Sequence, residues 1–104
     1  MKFVIIFITA ASRKQGEKIA DVLISKKLVA CVSIVRQVES VFIWQGKKEH
    51  VNEALLIAKT KFSLFNKIKK QVKKIHSYEV PEIIVLPIIA GNKEYLRWID
   101  TSVE

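Results

Sequence analysis

A single cysteine, Cys31, excludes a disulfide within the chain and suits a reducing compartment. Glycine is scarce, with three residues, so a phosphate-cradling loop is not expected, and neither a nucleophile-elbow pattern nor a Ser-His-Asp order is present. The paired Cys or His spacing of structural zinc sites is also missing. These absences argue for a binding or structural protein rather than an enzyme, and for no required cofactor. No apolar run approaches the ~18 residues of a membrane helix, so no membrane partner is expected and the cytoplasm is the default location. Residues 1–12 carry one positive charge, a short apolar run and then small residues, the outline of a signal peptide; the run reads better as a first strand.

What is abundant is lysine and aliphatic carbon. Lys and Arg total 18 against 10 Asp and Glu, giving a formal charge of +8. Residues 59–74 hold seven lysines and no acid. Arginine and interleaved aromatics are missing there, so the stretch reads as a solvated helix face rather than a nucleic-acid track. Hydrophobic residues make up 50% of the 104 and the mean hydropathy is +0.20. A domain of about 100 residues buries only about two-thirds of its unfolded surface alone, so this surplus predicts further burial between subunits.

The spacing predicts one domain over 1–104. A β-branched first strand spans 3–9. Ser12 with Gln15 forms a capping-box pattern, and Ile19, Ala20, Leu23 and Ile24 give a first helix that ends at Lys26 and Lys27. A long β segment over 28–45 is too long for one regular strand, and the polar pair Arg36-Gln37 predicts a bulge in it. Gln45-Gly46-Lys47-Lys48 supplies a turn, and 52–60 returns as the hairpin partner. Ser63 is placed as the cap of a second helix whose apolar stripe is Phe65, Ile68, Val72 and Ile75. Residues from Glu82 onward, with Pro81 before and Pro87 within, read as a strand buried on both faces and meeting another chain at its edge. Gly91-Asn92 opens a short third helix with Leu96 and Ile99 inward.

The order is β-α-β-β-α-β plus a helix, an α+β, ferredoxin-like sandwich. Two main helices cover one sheet face, and association into a closed ring would cover the other.

At Leu28-Val29-Ala30-Cys31-Val32, at Ser40 to Gly46 with Trp44, at Glu53 and at Lys59-Thr60 the chain resembles the CutA family of divalent-cation tolerance proteins. The resemblance continues through His76-x-Tyr78-Glu79-Val80-Pro81-Glu82-Ile83, Leu86-Pro87-Ile88 and Gly91-x-x-x-Tyr95-Leu96-x-Trp98-Ile99, and so spans nearly the whole sequence. It implies a homotrimer similar in shape to the PII signalling proteins, with polar residues gathered in intersubunit clefts and a role in tolerance of copper and other divalent cations. Departures are Arg36-Gln37 where the family usually has Pro-Gly, Ser77 for a proline, and Ser33 for an asparagine. Some members carry a metal-liganding cysteine late in the first strand; here the residues are Phe7-Ile8-Thr9, without a thiol.

Two sets of candidate site residues follow. For a metal, His76 is the named ligand, because imidazole suits copper(II) and zinc; Cys31 reads as a small core residue and His50 as solvated. For an intersubunit cleft, Tyr78, Glu79 and Glu82 combine with Trp44, Glu53 and Lys59, with Glu53 expected to pair with a partly buried Lys59. The partners implied are further copies of the chain and either divalent cations or, in an alternative PII-like sensor, a small anionic metabolite.

Overall fold

The computed structural model describes residues 2–104 as a four-stranded antiparallel sheet in the order β2-β3-β1-β4, the ferredoxin-like arrangement. The elements are β1 (Phe3–Ala10), α1 (Arg13–Ser25), β2 (Cys31–Trp44), β3 (Lys47–Lys61), α2 (Phe65–Ile75), β4 (Ile83–Pro87) and α3 (Lys93–Ser102). Strand alternation sorts the side chains. Val4, Ile6, Ile8 and Ala10 of β1 and Ala54, Leu56, Ala58 and Thr60 of β3 point to α1 and α2 and are fully buried. Ile19 and Leu23 of α1 and Ile68 and Val72 of α2 close this layer, also with no exposed surface.

Several ends are fixed by identifiable bonds. The Ser12 hydroxyl accepts from the Gln15 N–H at 3.1 Å, as predicted, while Gln15 Oε1 reaches one residue further back, to the Ala11 N–H at 3.0 Å. The C-terminus of α1 closes by two backbone bonds, Lys27 N–H to Ile24 O and Leu28 N–H to Leu23 O, both 3.0 Å. That pairing requires Lys27 in the left-handed region, at φ 56°, where glycine is usual. Lys27→Gly is therefore expected to stabilise the fold by about 0.5–1 kcal/mol, read from the thermal midpoint, because a Cβ is costly at positive φ.

The β2–β3 hairpin is the dominant feature. Gln45 (φ 50°) and Gly46 (φ 81°) form a two-residue loop joining the Trp44–Lys47 pair. The predicted bulge is present: Val35 pairs with Leu55 and Val38 with Glu53, so Arg36 and Gln37 together oppose Ala54. The hairpin outreaches the rest of the sheet, and the molecule measures 44 × 25 × 22 Å. Its radius of gyration, 14.1 Å, exceeds the ~13 Å of a compact chain this long.

Three expectations are corrected. β2 begins at Cys31, because Leu28 and Val29 are consumed in the turn that closes α1. Ser63 does not cap α2: it lies in a short 3-10 turn, Phe62–Leu64, and the helix starts without a side-chain cap. β4 is not buried on both faces within this chain. Ile83 and Val85 pack on the core, but Ile84 and Leu86 are exposed on an edge strand that pairs with β1 alone. Pro87 ends that strand, where a missing N–H costs no ladder bond.

The face away from α1 and α2 is only partly covered. α3 lies against β3 there, with Ile99 fully buried, and Asp100 bridges Lys2 at 3.2 Å and Lys61 at 3.1 Å. Those two ammonium groups, Lys61 above all, hold the Asp100 carboxyl below the usual carboxylate range. The rest of that face carries Val35, Phe42, Trp44, Ile84 and Leu86, all exposed.

Candidate functional site

The bulge decides what the outer half of the hairpin presents. In β2, Cys31, Ser33 and Val35 face away from α1 and α2, opposite Lys59, Ile57 and Leu55. One extra residue shifts the parity, so beyond the bulge the residues on that face are Val38, Ser40, Phe42 and Trp44. Their cross-strand partners are Glu53, Val51, Glu49 and Lys47. Phe42, Trp44, Glu49 and Glu53 thus share one side of the ribbon, and the segment 77–82 between α2 and β4 faces them. A cleft of about 730 Å³ lies between.

The base of the cleft is a connected polar set. Tyr78 donates its hydroxyl to the Glu53 carboxylate at 2.9 Å, and Glu53 is buried. The Tyr78 N–H donates to His76 Nδ1 at 3.0 Å, and His76 Nε2 lies 2.6 Å from the Thr9 carbonyl. An amide N–H can only donate and a carbonyl only accept, so these partners place the ring proton on Nε2. The His76 and Tyr78 rings also stack at 4.8 Å between centroids. His76 therefore ties α2 to the end of β1 and orients Tyr78.

Burial pushes the Tyr78 phenol up to about 12, and its hydrogen bond to Glu53 and the charge of that carboxylate act in the same sense. Tyr95 is raised as well, first by burial and then by the adjacent Cys31 thiol. A phenol whose pKa rises on folding favours the native state only while it keeps its proton. The contribution of Tyr78 is thus complete below the ordinary tyrosine value of about 10 and is lost as pH climbs towards 12. Ultraviolet titration should show both phenols ionising above that ordinary value. Glu53→Gln should bring the Tyr78 midpoint down, since two of its three causes are then removed.

The predicted residues divide. Trp44, Glu53, Tyr78, Glu79 and Glu82 line the cleft, together with Thr9, Phe42 and Glu49. Phe42 and Glu49 were not anticipated; counting alternate residues outward from the turn Gln45-Gly46 would have found them. Lys59 does not join the cleft, and the expected Glu53–Lys59 pair does not form. The two side chains share a face but sit six residues apart along β3. Lys59 Nζ donates instead to Ser33 Oγ at 2.6 Å, with Cys31 Sγ at 3.8 Å. His50 is exposed at the hairpin, 3.9 Å from Glu39.

The fit to a resident metal is poor in one chain. Both nitrogens of His76 are engaged by backbone groups, so ligation would require breaking one of those bonds. Among the described residues, no three His, Cys, Asp or Glu side chains converge as a metal-holding group. What the cleft does offer is charge. Four of the chain's ten acids line it, and no lysine, arginine or histidine does, although the chain as a whole is +8. Such a concavity attracts cations.

Among the described residues no helix is long and apolar enough to cross a membrane. Residues 4–102 match the profile of the family described as CutA1 divalent ion tolerance protein. The chain is 46% identical over 99 residues to the divalent-cation tolerance protein CutA of Archaeoglobus fulgidus, covering 95% of this chain and 96% of that one. It is 43% identical over 99 residues to the chloroplastic protein CutA 1 of Oryza sativa, covering 95% of this chain but 56% of that protein; the chain thus spans about half the length of such relatives. A solved structure of the A. fulgidus protein, described as periplasmic, superposes with a TM-score of 0.95 at 44% identity over 98% of this chain and 99% of that one. That of CutA1 from Oryza sativa gives 0.97 at 41% over 100% and 95%. With its ferredoxin-like sheet, its bulged hairpin and its 77–82 segment in common register with these proteins, the chain belongs to the CutA1 divalent ion tolerance family.

Proposed function

We propose that the protein acts in the response to divalent cations as a cytoplasmic homotrimer that binds ions such as copper(II) without catalysing a reaction. The observation that carries this reading is the acidic cleft: Glu49, Glu53, Glu79 and Glu82 in a lysine-rich chain, with no basic side chain among the lining residues. Glu53 is occupied by Tyr78, which leaves Glu49, Glu79 and Glu82 for an ion. They do not converge within one chain, so binding is weak or is completed by a neighbouring copy. The exposed apolar residues on the same sheet face supply the reason for such copies to meet. In this account the ion is cargo, and His76 is an orienting residue.

The same observation counts against the rival, a PII-like sensor of a small anionic metabolite in that cleft. Its one cationic candidate, Lys59, is bonded to Ser33 instead.

Calorimetric titration of the purified protein with copper(II) and with manganese(II) tests the proposal. The double variant Glu79→Gln/Glu82→Gln should weaken binding by about tenfold, the loss expected when two charged contacts are removed. His76→Gln should leave the affinity nearly unchanged. No measurable binding of either ion, or a loss confined to His76→Gln, would refute the carboxylate cleft.

A further inference from the structure

A second concavity has the opposite charge. Lys26, at the end of α1, and Lys67, Lys70 and Lys74 of α2 line a depression of about 320 Å³, with Gln71 and Glu104 beside them. The three α2 lysines recur at i, i+3 and i+7 and so share one helix face. Elsewhere cations are matched: Lys2 and Lys61 by Asp100, Arg13 by Glu17. In the depression, among the described residues, only Lys67 has a carboxylate partner, Glu104 at 3.1 Å.

Fold stability does not explain this clustering. Lysines late in a helix suit the dipole, which accounts for Lys74 and for Lys26. Lys67 lies in the first turn of α2, the positive end, where that helix carries no acidic residue. Placing further cations three and four residues apart weakens a helix. The carboxylate already present is informative: the Glu104 N–H is anchored on the Lys27 carbonyl at 3.1 Å, and its side chain is held against Lys67. An anion of the chain itself therefore sits at the rim.

The structure assigns to this depression the binding of a small polyphosphate anion, a linear di- or triphosphate group that displaces the Glu104 carboxylate from Lys67. Ammonium groups act as point charges for phosphate. The lining holds no arginine to grip a single phosphate in a planar fork, and no aromatic ring on which a base could stack, so the phosphate chain is recognised and a nucleobase is not. A depression of this size is at the small end of ligand pockets, which suits such an anion.

Calorimetry at physiological ionic strength with sodium tripolyphosphate and with orthophosphate gives the test. Tripolyphosphate should bind the tighter of the two. Lys70→Ala/Lys74→Ala should weaken it by about tenfold or more. Lys14→Ala/Lys93→Ala removes the same charge outside the depression and should change little, and Glu104→Gln should tighten binding several-fold. All these side chains are exposed, and circular dichroism confirms folding; Lys70→Ala alone serves if the double variant melts early. Equal losses in the two double variants, no binding of tripolyphosphate, or tighter binding of a single-stranded oligonucleotide at equal phosphate concentration would overturn the assignment.

Discussion

Replacing Ile84 by aspartate is expected to convert the assembled protein into single protomers at low micromolar concentration and to lower its thermal midpoint markedly. Ile84 sits on edge strand β4, opposite Phe7 of β1, on the sheet face that α1 and α2 do not cover. It is 48% exposed in the single chain, beside Leu86 at 40%, and Val35, Phe42 and Trp44 lie on the same face. Burying one isoleucine between copies contributes roughly 1.5–3 kcal/mol, and an unpaired carboxylate forced into the same place costs several kcal/mol more. In a closed ring every copy loses the contact, so the effects multiply. Sedimentation velocity of wild type and variant at matched concentration decides the point. A wild type that already sediments as a protomer, or a variant that keeps the wild-type mass and melting point, would remove the basis for the trimer.

Leu56→Ala should be the most damaging substitution inside a protomer, costing about 2–5 kcal/mol, a large share of a small domain's stability. Leu56 is fully buried at the centre of β3, between Ile8 of β1 and Ile34 of β2. The helix above it is close because position 16 has no side chain: a Cβ there would lie 3.2 Å from Leu56 Cδ2 and 3.4 Å from the Ala54 methyl. Gly16→Ala on its own sets a helix-propensity gain of about 1 kcal/mol against that crowding and should be nearly neutral. Combined with Leu56→Ala the crowding vanishes and the new methyl occupies part of the cavity. The pair should therefore be more stable than the sum of the single changes, by about 1 kcal/mol. Denaturant melts of the four proteins measure the coupling directly. Simple additivity would mean that α1 moves away from the sheet to relieve the contact.

The cleft and the sheet face draw on the same device, the two-for-one bulge at Arg36-Gln37. Without it, Phe42 and Trp44 would point to the other side of the ribbon, away from Glu53, and no cleft could form. The family resemblance holds across this position even though Pro-Gly is replaced by Arg-Gln, because a bulge asks only for an extra residue in the strand. Lys27 shows the converse: the turn after α1 keeps its left-handed residue although the side chain is unfavourable there.

Local pattern alone determined the order of elements, the cap at Ser12, the bulge, the hairpin turn and the apolar faces of α1, β1 and β3, since each depends on neighbours within a few residues or on a strict period. It also brought Trp44, Glu53, Tyr78, Glu79 and Glu82 forward as site residues, through their resemblance to a family. Tertiary structure decided their partners. Glu53 met Tyr78 and not Lys59, and His76 met two backbone groups and no ion, because such pairings depend on segments tens of residues apart. The strand from Ile83 was legible as apolar on both faces, but only the folded chain showed that one of those faces finds no cover within its own protomer. Hydropathy records how much surface must leave water; it does not record which chain removes it.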